Sequence, residues 1–230
     1  MQGRYSRNSL SDEVQATIGA SKVLIAGLGG LGSGVLVTLA GLGVENFILL
    51  DGDVVEITNL NRQFIHRECD LGVKKVKSAA RWLSDFNPSA KAETLDVRLS
   101  SNNYPLNFKP SLILDCFDNI EGSLILNELA KKFGVPFVHG GLDAYCGQVM
   151  AIVPSQTACL KCFLGSGSSE NACPITSLAP VVNLISSIQA AEAMKILIGQ
   201  KPACGELLRV NISTWELKSR SVPKNPACCP

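Results

Sequence analysis

Lys22-Val-Leu-Ile-Ala-Gly27-Leu-Gly-Gly-Leu-Gly32 decides the fold. The apolar run 22–26 has the length of a buried strand and ends directly in a glycine-rich turn. The small and apolar stretch 33–42 reads as a helix stopped by Gly43. Residues 45–51 form a second apolar run with an acid, Asp51, at its carboxyl end. Strand, glycine turn, helix and strand make a βαβ unit. Strands this continuously apolar belong to a parallel sheet covered on both faces. The uncharged stretch 23–44 has the length of a membrane span. Its glycines fall where a tight turn needs them, so no membrane segment is expected.

The same alternation continues outward. Residues 74–86 have helical spacing and stop before Asn87-Pro88; 91–97 and 111–115 read as strands, 123–133 as a helix and 136–139 as a strand. That order predicts an α/β fold: a doubly wound, mostly parallel sheet with a Rossmann-like nucleotide turn. After Gly140 the pattern changes to a strand at 147–153, a long amphipathic helix at 181–199 and a closing hairpin at 207–212 and 214–219. These predict a mixed or antiparallel C-terminal extension. Between them, 155–174 carries Cys159, Cys162, Cys173 and the run Gly165-Ser-Gly-Ser-Ser169, read as a loop. With no linker to cut the chain, 1–230 is expected to be one domain with a flexible cysteine-containing insertion at about 155–180.

Composition narrows the function classes. The chain has 230 residues, 46% hydrophobic and 18% charged, and its 21 basic against 20 acidic side chains leave a net charge of +1. That balance argues against a broad nucleic-acid surface, and no nucleic-acid partner is expected. The hydrophobic share excludes a disordered polyampholyte. The opening MQGRYSRNSLSDE has no basic segment followed by an apolar one, so a cytoplasmic location is expected. There the 9 cysteines would be thiols, metal ligands or catalysts rather than disulfides.

Gly27, Gly29 and Gly32 form GxGxxG, with Gly30 as an extra glycine. Such a turn lets backbone approach a phosphate, and the following helix offers free N–H groups to it. Asp51, 19 residues after Gly32 and at a strand end, is placed to accept ribose hydroxyls. Either a dinucleotide or a nucleoside triphosphate would suit these features. A polar loop follows, Asp51-Gly-Asp53-Val-Val-Glu-Ile-Thr-Asn59-Leu-Asn61-Arg62-Gln63. Arg62 and Lys75 supply the cations a triphosphate needs. Asp118 and Asn119, in Asp115-Cys-Phe-Asp118-Asn119, lie just past a strand end. A carboxylate there either holds Mg²⁺ against phosphates or caps the next helix. Cys159-Leu-Lys-Cys162 has the spacing of a zinc half-site. His66 and His139 have no triad-like neighbour in sequence and read as structural or substrate-lining residues.

Together, the glycine turn, Asp51-Gly-Asp53 with Asn59-Leu-Asn61-Arg62-Gln63, Lys75, the Asp118-Asn119 segment and Cys159-Leu-Lys-Cys162 resemble the ThiF/MoeB/HesA family. Its members are adenylyltransferases of ubiquitin-like sulfur carriers, related to the adenylation domains of ubiquitin-activating enzymes. The resemblance runs from Arg4 to about Cys228. It implies a homodimer with MgATP over the glycine turn. Asn59, Arg62 and Lys75 match phosphate-handling positions, Asp118 a metal-binding aspartate required for catalysis, and Arg7 an arginine that reaches the partner subunit's ATP. The implied reaction is attack of the carrier's C-terminal glycine carboxylate, in a Gly-Gly ending, on the α-phosphate of ATP, with pyrophosphate leaving. Thiamine, molybdopterin or a related sulfur-transfer product would be served.

The resemblance also implies a structural zinc held by two cysteine pairs. Cys228 matches the start of the second pair; its expected partner falls beyond Pro230, and the adjacent Cys229 is the substitute on offer. Cys173 matches a cysteine that joins covalently to the carrier in thiamine-type members. Ser123 departs from the family, many of whose members carry arginine near that point. Three other readings remain: adenylation of a small-molecule or tRNA carboxylate, an NAD-dependent oxidoreductase on the same glycine turn, and a non-catalytic binding scaffold.

Overall fold

In a computed structural model, which describes residues 3–100, 109–165, 177–203 and 205–229, local sequence signals set most element ends. Helix α1 (Asp12–Ala20) starts at Ser11, whose side chain accepts the Val14 N–H, with Asp12 and Glu13 in the first turn. Strand β1 (Lys22–Ala26) leads into α2 (Gly30–Leu42), which ends at left-handed Gly43. Strand β2 (Asn46–Leu50), α3 (Lys75–Phe86), β3 (Lys91–Leu95) and β4 (Leu112–Asp115) follow. Helix α4 (Ile120–Phe133) is capped by Asn119, carries Lys131 and Lys132 in its last turn and ends at left-handed Gly134. The rest are β5 (Phe137–Asp143), β6 (Cys146–Ile152), the short α5 (Leu160–Leu164), α6 (Ala179–Leu197), β7 (Glu206–Asn211) and β8 (Glu216–Ser221).

The eight strands form one sheet in the order β3-β2-β1-β4-β5-β6-β7-β8. The first five in that order pair parallel, and β6, β7 and β8 join antiparallel. The expected doubly wound sheet with an antiparallel extension is therefore present. The central strands are covered on both faces. Val23, Ile25, Phe47 and Leu49 pack with apolar side chains of α2, α3 and α6; Leu24, Ala26, Ile48 and Leu50 pack with those of α4 and α5. Burial on both sides explains why β1 and β2 carry unbroken apolar runs.

Some boundaries differ from the sequence reading. Helix α1 was not anticipated, because its apolar residues show little helical periodicity. Strand β5 continues three residues past Gly140, paired with β6 through Gly140↔Val149, Gly141↔Gln148, Leu142↔Gly147 and Asp143↔Cys146. Glycine is tolerated there because the ladder continues through the backbone. The described part of the 155–174 loop contains α5, and the remainder, including Cys173, lies outside the described residues. Among the described residues no helix is long and apolar enough to cross a membrane.

Candidate active site

The carboxyl ends of the central parallel strands lie in one row: Leu50, Ala26, Asp115 and His139 are successive register partners across β2, β1, β4 and β5. The next residue of each strand, Asp51, Gly27, Cys116 and Gly140, lines a cavity of about 810 Å³. It opens where the strand order reverses, the place where open α/β sheets bind ligands.

Gly27 adopts φ +90°, and a Cβ there would come within 2.7 Å of the Cys116 carbonyl oxygen. Only glycine suits both conditions. Gly32 packs behind the turn, where a Cβ would run into the Gly27 carbonyl oxygen. Gly29 precedes α2 as its cap residue and has no side chain to cap it, so among the described residues no side-chain cap takes the N–H groups of the first turn beside the cavity. Asp51 is fixed by two backbone donors, Leu28 N–H at 2.7 Å to Oδ2 and Asp53 N–H at 2.8 Å to Oδ1. Each oxygen keeps a lone pair for a ribose hydroxyl.

Three cations face this wall. Lys75, the first residue of α3, places Nζ 3.3 Å from Asp53 Oδ2, and Arg98 Nη2 lies 2.8 Å from Asp53 Oδ1. Burial alone would raise the Asp53 carboxyl, but Lys75 and Arg98 beside it hold it below the usual carboxylate value. Arg62 is braced by the Thr58 carbonyl at 3.0 Å and by Asn61 Oδ1 at 2.9 Å. Gln63 also lines this wall; its Oε1 is buried and has no hydrogen-bond partner among the described residues. Asp118 also lines the cavity; it is exposed, and no described residue pairs with its carboxylate.

The structure thus brings Gly27, Gly29, Gly30, Asp51, Asp53, Arg62, Gln63, Lys75, Asp118 and Asn119 to one cavity. Other expected residues stand elsewhere. Asn59 turns its Oδ1 to the Glu56 N–H at 3.0 Å and shapes the loop, and Asn61 braces Arg62; neither lines the wall. Asn119 is at the cavity, but its Oδ1 caps α4 by accepting the Gly122 N–H at 2.8 Å. Arg7 is exposed on the N-terminal segment, away from this cavity.

Arg98, Gln148, Arg209 and Cys146 also line the cavity without having been singled out in the sequence. Arg98 carried a usable signal, since it lies just past the carboxyl end of a strand. His139 lines the cavity, and the fold gives it the acidic neighbour that it lacks in sequence. Its Nδ1–H donates to Asp115 Oδ2 at 2.7 Å, and Asp115 is fully buried. The other Asp115 oxygen accepts the Phe117 N–H at 3.2 Å. Gln189 on α6 donates to the Asp115 and Val138 carbonyls at 2.8 and 3.0 Å, tying the two strand ends together. His66 is structural: Nε2 lies 3.1 Å from the Leu28 carbonyl and Nδ1 2.8 Å from Ser78 Oγ, and burial pushes its pKa down.

The cysteines divide as their positions dictate. The Sγ atoms of Cys159, Cys162, Cys228 and Cys229 lie within 4.8 Å of one another. Cys159 and Cys162 are 3.8 Å apart, Cys159 and Cys228 3.7 Å, and Cys162 and Cys229 3.6 Å. Four thiolates at 2.3 Å from a tetrahedral zinc would be about 3.8 Å apart, close to three of these separations, while Cys162 and Cys228 stand nearer at 3.3 Å. Adjacent cysteines both face the cluster because the tail turns there. The Asn225 carbonyl accepts both the Cys228 and Cys229 N–H, at 3.1 and 2.9 Å. Burial opposes ionisation of Cys162, but the Asn225 N–H and the neighbouring thiols bring it down to about 7. Burial and the surrounding sulfurs push Cys228 up to about 12 and Cys229 to about 11. Cys116 is buried at the cavity floor, and burial pushes its thiol well above the usual value.

The model of the ThiF family matches residues 5–230. The SAMP-activating enzyme E1 of Haloferax volcanii is 31% identical over 98% of this chain and 87% of its own length. The molybdopterin-synthase adenylyltransferase of Escherichia coli is 34% identical over 93% of this chain and 88% of its own. The sulfur carrier protein ThiS adenylyltransferase of the same organism is 29% identical, covering 98% and 93%. Among solved structures, E. coli MccB crystallised with SeMet MccA superposes with a TM-score of 0.88 at 23% identity, covering 99% of this chain and 74% of that one. By sequence match over nearly its whole length, this chain belongs to the ThiF family.

Proposed function

We propose that this chain is an ATP-dependent adenylyltransferase that activates the C-terminal glycine carboxylate of a small ubiquitin-like sulfur carrier ending in Gly-Gly. The carrier would serve thiamine, molybdopterin or related sulfur-transfer synthesis. One observation carries the reading. The glycine turn, the ribose-facing Asp51, the cations Arg62, Lys75 and Arg98, and the unpaired Asp118 share one cavity. That is a site for neutralising and aligning a triphosphate. A dinucleotide's pyrophosphate carries less charge and would leave these cations and Asp118 without work.

The chemistry asks little else of the protein. The incoming carboxylate is itself the nucleophile at the α-phosphate, so adenylation needs no side-chain nucleophile and no base. The α2 N–H groups, Arg62 and Lys75 take up charge on the phosphate oxygens, and alignment with the leaving pyrophosphate supplies most of the remaining acceleration. Lys75 starts paired with Asp53; an entering phosphate competes for the same ammonium. Asp118, facing the cavity without a partner, would hold Mg²⁺, which supplies further neutralisation when bound. Cys159, Cys162, Cys228 and Cys229 would hold a structural Zn²⁺ that ties the tail to α5. In a homodimer, Arg7 on its exposed segment would reach the ATP of the partner subunit. Cys173 would be an acceptor of the activated carrier.

The test is ATP–pyrophosphate exchange by the purified chain with Gly-Gly-ending carriers of the ThiS, SAMP and molybdopterin-synthase types. Exchange that depends on one of these carriers is expected. Exchange driven only by a free amino acid or peptide carboxylate would move the substrate from a carrier protein to a small molecule.

A further inference from the structure

His139 and Asp115 have no task in the adenylation step, because a carboxylate needs no base to attack ATP. Their arrangement is nevertheless that of a working pair. Asp115 is fully buried, held at its second oxygen by the Phe117 N–H, and 2.7 Å from His139 Nδ1. Its acceptance of Nδ1–H fixes the tautomer of the neutral ring, leaving the lone pair on Nε2. No described residue hydrogen-bonds Nε2. That atom lies 3.5 Å from where a Gly141 Cβ would stand, and the Gln148 side chain comes within 3.3 Å of the same point. His139, Gly140 and Gly141 line the same cavity as Asp118 and the glycine turn.

We propose that His139, oriented by Asp115, is the general base of the step that consumes the adenylate: acyl transfer to a thiol. The proposal rests on the adenylation reading, whose product is a mixed anhydride of carboxylate and AMP. The thiol sulfur attacks the carbonyl carbon, a C–S bond forms, the C–O bond to the α-phosphate breaks, and AMP leaves. The thiol proton passes to His139 Nε2 and from there to water. No redox partner is involved. The thiol class follows from proton counting. An amine starts as an ammonium and must lose two protons, whereas a thiol loses one, and the pair offers one acceptor atom. The acidity of a thiol is also close enough to that of imidazole for the transfer to be nearly balanced.

The experiment uses the full chain with ATP and whichever carrier supports exchange, and compares two probes. One is 2-mercaptoethanol, protonated at neutral pH; the other is thionitrobenzoate, already a thiolate. Carrier thioester and AMP are followed by mass spectrometry and chromatography, with ATP–pyrophosphate exchange measured in parallel. His139→Gln removes the base. Asp115→Asn keeps the shape but donates to Nδ1, moving the ring proton to Nε2 and abolishing the lone pair. Both variants should lower transfer to mercaptoethanol about 100-fold. Transfer to thionitrobenzoate and exchange should change far less. Equal losses with both thiols, or exchange falling in step with transfer, would overturn the proposal and make His139 a positioning residue. Unchanged transfer to mercaptoethanol would overturn it as well. No exchange by the wild-type chain with any carrier would instead sink the adenylation reading, and this proposal with it.

Discussion

At the scale of single residues, the glycines of the turn do different work. Gly27 supplies a positive φ and Gly32 a close approach, since a Cβ on Gly32 would meet backbone rather than a movable side chain. Gly32→Ala should therefore destabilise the fold by about 3 kcal/mol, at the high end for overpacking. Gly41, in the same helix with nothing within 4 Å of a would-be Cβ, is the control. Gly41→Ala should leave stability unchanged or raise it by up to about 1 kcal/mol. Denaturant unfolding measures both, and equal midpoints for the two variants would contradict the assignment. The GxGxxG pattern made this turn legible, because its spacing is local. The Asp115–His139 pair was not legible. The two residues meet only because β4 and β5 are parallel neighbours in register, a fact no local pattern carries. Asn59 and Asn119 show the reverse: both were expected to face a ligand, and both spend their side-chain oxygens on nearby backbone N–H groups instead.

At the scale of elements, α5 and the C-terminal tail depend on each other. Helix α5 has only five residues, too few to be stable alone, and it presents Cys162 to the tail. Lys131 on α4 also reaches the Cys228 carbonyl at 2.9 Å, and Lys224 the Ser155 carbonyl at 2.7 Å. The cysteine set is proposed to be closed by zinc, and Cys229→Ser tests it. The purified wild-type chain should carry one zinc per chain by metal analysis, and the variant should carry much less or release it readily to a chelator. The variant should also lose thermal stability, whereas full zinc retention would remove Cys229 from the ligand set. The first pair was readable from its spacing. Cys228 and Cys229 were named only through the family resemblance, because a spacing rule expects adjacent cysteines to diverge and only the tail turn at Asn225 brings both to one side. Helix α1 was missed because Ile18 is its only buried residue, so the apolar periodicity was weak.

At the scale of the whole molecule, the strand order determines the site. Apolar runs made the parallel half of the sheet legible, and they also located its carboxyl ends. The order of the strands places Asp51, Gly27, Cys116 and Gly140 side by side, and Asp118 and Lys75 line the same cavity. The antiparallel extension adds Gln148 and Arg209, which belong to β6 and β7 and came into view only with the register between those strands. The central claim is that this cavity joins AMP to the end of a carrier protein. Intact-mass spectrometry of a Gly-Gly-ending carrier incubated with the chain, MgATP and pyrophosphatase tests it most directly. The account predicts a carrier–AMP adduct that disappears when the carrier lacks its last glycine and when Asp118→Ala replaces the wild-type chain. An adduct formed equally well by Asp118→Ala, or no adduct with any carrier that binds the chain, would contradict it.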